Sequence, residues 1–454
     1  MSESFLTDAH HELRAGVRQF AEAVIAPQVA DMEAHRQVVR DLPGQIARQG
    51  WIGATIGKNF GGMGAGHVAK TLIVEEISRV SAAMGAMVQA SQLGTAKIIH
   101  YGNEQQKRTW LPEIAAGRCL PTIAVTERAS GSHVLGMTTT ARRDGDHYVL
   151  NGAKIYVGNS HIGHLHGVVA RTGQGSNGLS ALLVEADTPG LRLEPHQEAM
   201  GLHGFSFGEM IFEDCRVPAA NLLGKEGDGL HVAYSSSILY GRPNLTAVAL
   251  GLHQAVLEQT VTFSQGRERY HEPLCALPVI EQRIGQIRSN LMTARQTAYH
   301  AVHLLDQGMP CDELLMNAKL VNVELALSSA TIAMEIHAAA GLFTDLPMQR
   351  YLRDAYHLRA PAGTSDIQRM RLAHGALDTT PGQYSYSQRH AGPCLADPSN
   401  SPGAAIPQCA PDENLRAPGG GATKTTGQGD ASGQPDTQPT EALACDDAHS
   451  VRGA

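Results

Sequence analysis

The sequence predicts an α+β fold. A helical N-terminal domain spans residues 1–121, a middle β-domain 122–227 and a helical C-terminal domain 228–378, with a disordered tail over 379–454. Three observations carry this. Both flanks hold long stretches with apolar residues at helical spacing. Between them, from Thr122 to about Gly224, short β-rich runs are divided by turn residues at close intervals, the pattern of a small barrel or sandwich. After Asp378 the chain is dominated by Gly, Pro, Ser, Thr, Asp and Gln. Such a segment buries too little apolar area to offset the entropy of ordering.

In order, residues 8–36 read as an amphipathic helix, with Leu13, Val17, Phe20, Val24 and Ile25 near helical spacing and Thr7 or Asp8 as N-cap. Pro27 should kink or split it. GWIGATIGKNFGGMGAG follows and, rich in glycine, reads as loop. Residues 66–100 and 103–117 read as helices again. The β-rich runs are PTIAVTE, HYVLNGAKIYVGN, HLHGVVAR, LSALLVEA and GEMIFEDCRVP. Helical patterns return from Asp228 to Leu377. The clearest covers 317–340, with Leu320, Val323, Leu325, Leu327, Ile332 and Ile336 as core candidates.

At 454 residues the chain has room for roughly three domains. Its hydrophobic content is 42% and its charged content 18%. No window holds eighteen consecutive apolar residues, so no membrane span is expected. The polar start, MSESFLTDAHHELR, lacks the pattern of a signal peptide. A net charge of −8 gives no electrostatic argument for nucleic acid. Seven scattered cysteines without a CxxC pair argue against a disulfide framework and suit a reducing cytoplasm. His161, His164 and His166 lie close in sequence, but no Cys, Asp or Glu stands near them to complete a set. No metal site is expected.

Residues 347–369 read PMQRYLRDAYHLRAPAGTSDIQR. This stretch resembles the C-terminal signature of the acyl-CoA dehydrogenase family, "RDA…IYEGTSEIQR". Arg353, Asp354, Ala355, Gly363, Thr364, Ser365, Ile367, Gln368 and Arg369 match without a gap. Phe60-Gly61-Gly62-Met63-Gly64 is similar to "EYGGxG", and YGNEQQKRTWLPEIAAGR to "YGxEeQKxxyLPxlasG". The resemblance stops before the tail. It implies an N-terminal helical domain, a middle β-barrel domain and a C-terminal four-helix bundle.

It also implies a flavin site. IAVTERASGSH, from Ile123 to His133, is similar to "xxxTEPxAGSD". That places Ile123, Val125, Thr126, Gly131 and Ser132 at the flavin, with Ser132 also facing substrate. Glycine and short hydroxyl side chains suit a backbone that must approach a ring edge and a phosphate closely. Arg128 and His133 replace the usual Pro and Asp. Tyr148-Val149-Leu150-Asn151-Gly152-Ala153-Lys154 matches "YxLNGxK", so Tyr156-Val157-Gly158-Asn159 stands for "WITN". Tyr156 would lie against the isoalloxazine, and Gly158 takes the position whose hydroxyl usually bonds flavin N5. Residues 200–224 match "MGxRgSxTxxxxFedVrVPxxNxLG", but with His203, Phe205 and Phe207 for Arg, Ser and Thr. Arg267 corresponds to an arginine that clamps the FAD pyrophosphate of a neighbouring subunit, a bidentate task suited to a guanidinium. Tyr270 replaces the usual Phe. Glu335, Ala338 and Ala339 stand where "QxxGG" meets the adenine end, and Thr364 and Asp366 lie in the flavin-contacting turn. The like charge of Glu335 and the two added methyl groups should leave FAD, or FMN, weakly held.

The catalytic glutamate should precede Gly363, and Ala362 stands there. A subset of the family carries the base just before an arginine. Arg242, a substrate-side residue, matches that arginine, but Gly241 precedes it. Tyr240, His203, Glu335 and Asp366 are the polar residues of the surrounding motifs, and none occupies a known base position.

Three readings follow. One is a flavin-dependent oxidoreductase acting on acyl-CoA or an acyl-carrier protein by a route other than glutamate-based dehydrogenation, oxygenation with reduced flavin included. Another is a half-site subunit that works with a glutamate-bearing family partner. The last is a flavin-free binding or non-redox protein. Retention of Arg267 predicts a homodimer or homotetramer.

Overall fold

The computed structural model describes residues 6–379 and 383–387. The predicted first helix is split around Pro27. Helix α1 (Asp8–Phe20) passes through a π-turn (Ala21–Ile25) and a 3-10 turn (Ala26–Gln28) into α2 (Val29–His35). Proline offers no N–H to the helical ladder, so the hydrogen bonds regroup around it. After α3 (Leu42–Ala47) and the glycine-rich turns, α4 (Gly66–Val80) and α5 (Ala82–Tyr101) form two separate helices. Ser81 breaks between them in an extended conformation and caps α5, its side chain accepting from Met84 N. Helix α6 (Glu104–Ala115) begins with a reciprocal capping pair, Asn103 and Gln106.

The strands are β1 (Pro121–Ala124), β2 (Thr140–Asp144), β3 (His147–Gly158), β4 (Leu165–Arg171), β5 (Leu179–Glu185), β6 (Leu191–Leu193), β7 (Phe207–Pro218) and β8 (Leu222–Leu223). They form one sheet in the order β6-β7-β3-β2-β4-β5-β8, with β1 parallel to β4. Its inner face packs Tyr148, Leu150, Val168, Leu182, Val184, Met210, Phe212 and Val217 into a separate small core.

Helix α7 (Gly229–Ser236) runs through a second π-turn (Ser237–Gly241) into α8 (Arg242–Gly266), which carries Pro243 in its first turn. A two-residue hairpin, β9 (Glu268–Arg269) and β10 (Glu272–Pro273), leads into α9 (Pro278–Asp306) and α10 (Asp312–His337). Short α11 (Ala339–Leu342) precedes α12 (Met348–His357) and α13 (Ser365–Ala376). Helices α8, α9 and α10 pack on one another, with α12 and α13 against α10. The Asp306 carboxylate accepts from His67 N and Val68 N at 2.6 and 2.8 Å, capping α4 from the end of α9.

Of the core candidates on α10, Val323 and Ile336 are buried, whereas Leu320, Leu325, Leu327 and Ile332 are half-buried. The seam is built instead from Ala318, Lys319, Asn322, Ala326, Ser329, Ala330 and Ala333. Small residues let three helix axes approach closely.

Residues 384–387, assigned to the tail by sequence, form one helical turn, α14 (Tyr384–Ser387). It is tied to α10 through Tyr384 N and Ser385 N, which donate to the Asp312 carboxylate, and through Ser385 Oγ, which accepts from Cys311 N. The rest of the predicted disordered tail, 380–382 and 388–454, lies outside the described residues.

Candidate active site

Gly241 and Ala362, the two positions to which the motifs point for a base, face each other. A β-carbon on Gly241 would lie 3.3 Å from Cβ of Ala362, 3.6 Å from Ser237 Oγ and 3.7 Å from Leu93 Cδ1. Gly241 closes the π-turn before α8, and Ala362 lies in the loop between α12 and α13. Its φ of 52° is unusual for a residue with a β-carbon.

That loop is clamped from beneath. Lys319, fully buried on α10 with its amine pulled down to about 7 by loss of solvation and the nearby Arg242 and Arg359 cations, donates to Arg359 O and Gly363 O at 2.9 and 2.8 Å. The Gln368 amide donates to Ala362 O and Gly363 O at 3.0 and 2.9 Å. Gln368 Oε1 in turn accepts from Arg242 Nε at 2.9 Å, and Arg242 also donates to Ser237 Oγ at 3.2 Å. Arg242 is buried. Loss of solvation, helped by the nearby Arg371 cation, pulls its guanidinium down to about 10, so it remains a cation at neutral pH. A methyl, a glycine, a serine hydroxyl and a buried guanidinium thus meet at one place. None of these accepts a proton at neutral pH.

The flavin-assigned residues of the middle domain converge on the ends of β1, β3 and β7. Lys154 on β3 is fully buried and donates to Val125 O at 3.0 Å and Glu127 Oε1 at 2.8 Å. Burial would raise the Glu127 pKa, but Lys154 and the N–H groups of Thr138 and Thr139 outweigh it and hold the carboxyl at about 2. This ion pair fixes the turn carrying Thr126, Gly131 and Ser132. Among the described residues, the backbone N–H groups of those three make no hydrogen bond. A bulge between Lys154 and Val157 breaks the β3–β7 register and turns Tyr156 outward, 66% exposed at φ 57°. Arg128, in the place of a proline, forms a two-pronged ion pair with Glu209 on β7, at 3.1 and 2.5 Å. Half-buried Ile123 lies on β1, beside Gly167 of β4.

The aromatic departures are coupled to a lost side chain. Gly158 is paired with Phe207 across the strands. A β-carbon on Gly158 would lie 2.8 Å from Phe205 Cζ and 3.3 Å from Ala90 Cβ. Phe205 therefore fills the volume in which a residue-158 side chain would stand. Phe205 meets Phe207 edge-on at 4.4 Å, and Phe207 stacks on His357 at 5.1 Å.

Arg267, Glu335 and Ala339 gather elsewhere, at the far ends of α8 and α10, joined by the Phe263–His337 stack at 4.1 Å. Arg267 is exposed, with no ion pair among the described residues. The charge of Glu335 is met within the chain by Arg283 at 3.0 Å, so the expected like-charge repulsion is offset. Ala338 sits at φ 48°, ψ −133°, a region that favours glycine. Thr364 caps α13 by accepting from Ile367 N, and exposed Asp366 pairs with Arg369 at 3.2 Å.

The other polar candidates are engaged away from Ala362. Tyr240 donates to Thr55 Oγ1 at 3.1 Å, with its ring against His67, His100 and Lys70. His203 joins Glu33 and Arg353. His164 accepts from Leu120 N, and His166 bonds Thr122 Oγ1. Among the described residues no group of three or more His, Cys, Asp or Glu is placed to hold a metal. Sequence reading missed Lys319 and His357. A lone lysine among Leu315, Met316, Ala318, Asn322 and Val323 on one helical face was the available signal for the first. Nothing local marked the second.

The chain matches the profiles of the acyl-CoA dehydrogenase N-terminal domain over residues 7–118, middle domain over 122–215 and C-terminal domain over 227–377. It is 35% identical to an acyl-CoA dehydrogenase of Bacillus subtilis (strain 168), over 81% of this chain and 98% of the relative. An acyl-CoA dehydrogenase of Bacillus anthracis complexed with FAD superposes at a TM-score of 0.78 and 26% identity, covering 82% of this chain and 67% of that one. The prolyl acyl carrier protein oxidase AnaB superposes at 0.77 and 27%, covering 82% and 99%. With all three domains matched in order, the chain belongs to the acyl-CoA dehydrogenase family of flavin-dependent oxidoreductases.

Proposed function

We propose that this chain binds FAD and acts on an acyl group held as a thioester, on CoA or on a carrier protein, without glutamate-based α,β-dehydrogenation. The observation that carries the reading is the apposition of Ala362 and Gly241. Dehydrogenation needs a base within hydrogen-bonding reach of the α-proton. Gln368 and Lys319 are spent as donors on the carbonyls of the Ala362 loop, which leaves Ser237 and the cation Arg242 as polar side chains beside Gly241. Both suit holding a thioester carbonyl or an anionic product rather than taking a proton.

The residues present fit a flavin. Backbone N–H groups at Thr126, Gly131 and Ser132, without a hydrogen bond among the described residues, and outward-facing Tyr156 suit a cradle for a planar heterocycle. FAD supplies two-electron chemistry there. Lys154 and Glu127 hold the cradle rigid, and Lys319 and Gln368 fix the loop opposite.

Arg267 cannot reach the same flavin in the same chain. Helix α8 separates Arg242 from Arg267 by roughly 37 Å along its axis. The pyrophosphate clamp would therefore serve a second copy, which makes a homodimer or homotetramer part of the reading. FAD fits better than FMN, because FMN has no adenine end for the Glu335–Ala339 segment. We read the compartment as cytoplasm, with the four described cysteines all free. No described helix is long and apolar enough to cross a membrane.

Oxygenation suits a site without a base. Oxygen and two electrons from reduced flavin would place one oxygen atom in the product and release the other as water. The test is aerobic incubation with reduced FAD and a panel of acyl thioesters, read by mass spectrometry for a gain of one oxygen atom. A second reading, a half-site subunit beside a glutamate-bearing partner, is favoured by the strained adenine-end turn at Ala338. Co-purification of such a partner, with activity only in the mixture, would select it.

A further inference from the structure

The space beside Gly158 is bordered by an aromatic series that ends in a histidine. Phe205 fills the volume in front of Gly158, Phe207 lies beside it across the strands, and His357 stacks face to face on Phe207 with an interplanar angle of 23°. His357 closes α12, just before the loop that carries Ala362. It is half-buried. Among the described residues its ring nitrogens have no hydrogen-bond partner, and neither nitrogen is sealed from solvent. Burial alone lowers its pKa, with no charged neighbour contributing, so the ring is neutral at pH 7 and carries one donor and one acceptor.

We propose that His357 is a flavin-contacting residue, its imidazole offering the isoalloxazine the hydrogen bond that Gly158 has no side chain to make. This rests on the flavin reading above. Phe207 orients the ring by stacking, and Phe205 keeps position 158 empty. The series explains two departures at once. A hydroxyl at 158 has no room, and the group that replaces it comes from the C-terminal helices rather than from the strand.

The experiment uses the full chain with histidine labelled at ring Cε1. The His357 signal is assigned by its loss in His357→Gln. FAD is then titrated, with binding followed independently by calorimetry and by the flavin absorbance band. The proposal expects the His357 signal to move in step with FAD occupancy, while that of His253, fully buried in the bundle, stays still. It also expects His357→Leu to weaken FAD binding about tenfold, the loss of one hydrogen bond, and His357→Gln to restore most of it through its amide N–H. A space-filling role would be met by leucine as well as by glutamine. FAD that binds without moving the His357 signal, or with His357→Leu at parental affinity, overturns this proposal alone. Failure of FAD to bind at all overturns the flavin reading and this proposal with it.

Discussion

Ala362 Cβ lies 3.3 Å from the point at which a side chain on Gly241 would begin. The two positions to which the motif resemblance points for a base are one place in space, reached from two directions. A carboxylate at either would occupy the same small volume, so a chain needs only one of them. This chain has neither.

The first prediction is that Ala362→Glu gains anaerobic flavin reduction by saturated acyl-CoA, measured by bleaching of the flavin band. The clamp by Lys319 and Gln368 grips backbone carbonyls and is indifferent to the side chain at 362. A glutamate should therefore fold into the same turn at little added backbone strain. Gly241→Glu should gain less, because its β-carbon is already tight against Ala362. Equal gains at both positions would contradict that steric argument.

A second prediction concerns Gly158 and Phe205. Gly158→Thr alone should destabilise by about 1–3 kcal/mol, since Phe205 occupies the space. Phe205→Ser alone should cost about 3–4 kcal/mol through the cavity it leaves. The double variant should cost less than the sum by about 1–2 kcal/mol in urea unfolding. Strict additivity would mean that the contact carries no energy.

Legibility differed along the chain for physical reasons. The flanking helices announced themselves by their period, and the proline split in the first was readable from Pro27. Strands β6 and β8 were missed, being three and two residues long. So was β2, whose TARRD sequence is charged on its outer face. On α10 the leucines drew attention, but close helix packing buried the alanines instead. The base positions were legible from motifs. Their contact was not, because Gly241 and Ala362 lie on different helical connections. The same holds for Phe205 before Gly158 and for His357 on Phe207.

The third prediction is a pH dependence at Asp354. This fully buried carboxyl accepts from Leu202 N, and desolvation raises its pKa from 3.8 to about 6. The native state thus binds this proton more readily than the unfolded chain. The contribution favours folding below about pH 4 and is lost as pH rises through 6. Asp354→Asn keeps an acceptor for Leu202 and cannot ionise. Relative to the parent, it should gain stability between pH 4 and 6, by roughly 1.4 kcal/mol per pH unit across that window, and then hold level. Parallel urea-unfolding profiles from pH 4 to 8 would contradict it.

At the turn where the proposed flavin reading puts the adenine end of FAD, Ala338→Gly should relieve a strained backbone and raise unfolding stability by about 1 kcal/mol, with tighter FAD binding measured by calorimetry. No change in either would mean that the turn at Ala338 imposes no cost.

The central claim is that no side chain at Ala362 or Gly241 takes the substrate α-proton. Its most direct test is stopped-flow mixing of the FAD-loaded parent protein with saturated acyl thioesters, on CoA and on carrier protein, under strict anaerobiosis. The account predicts no bleaching of the flavin band on the timescale of turnover. Rapid bleaching, with an α,β-unsaturated thioester as the product, would contradict it.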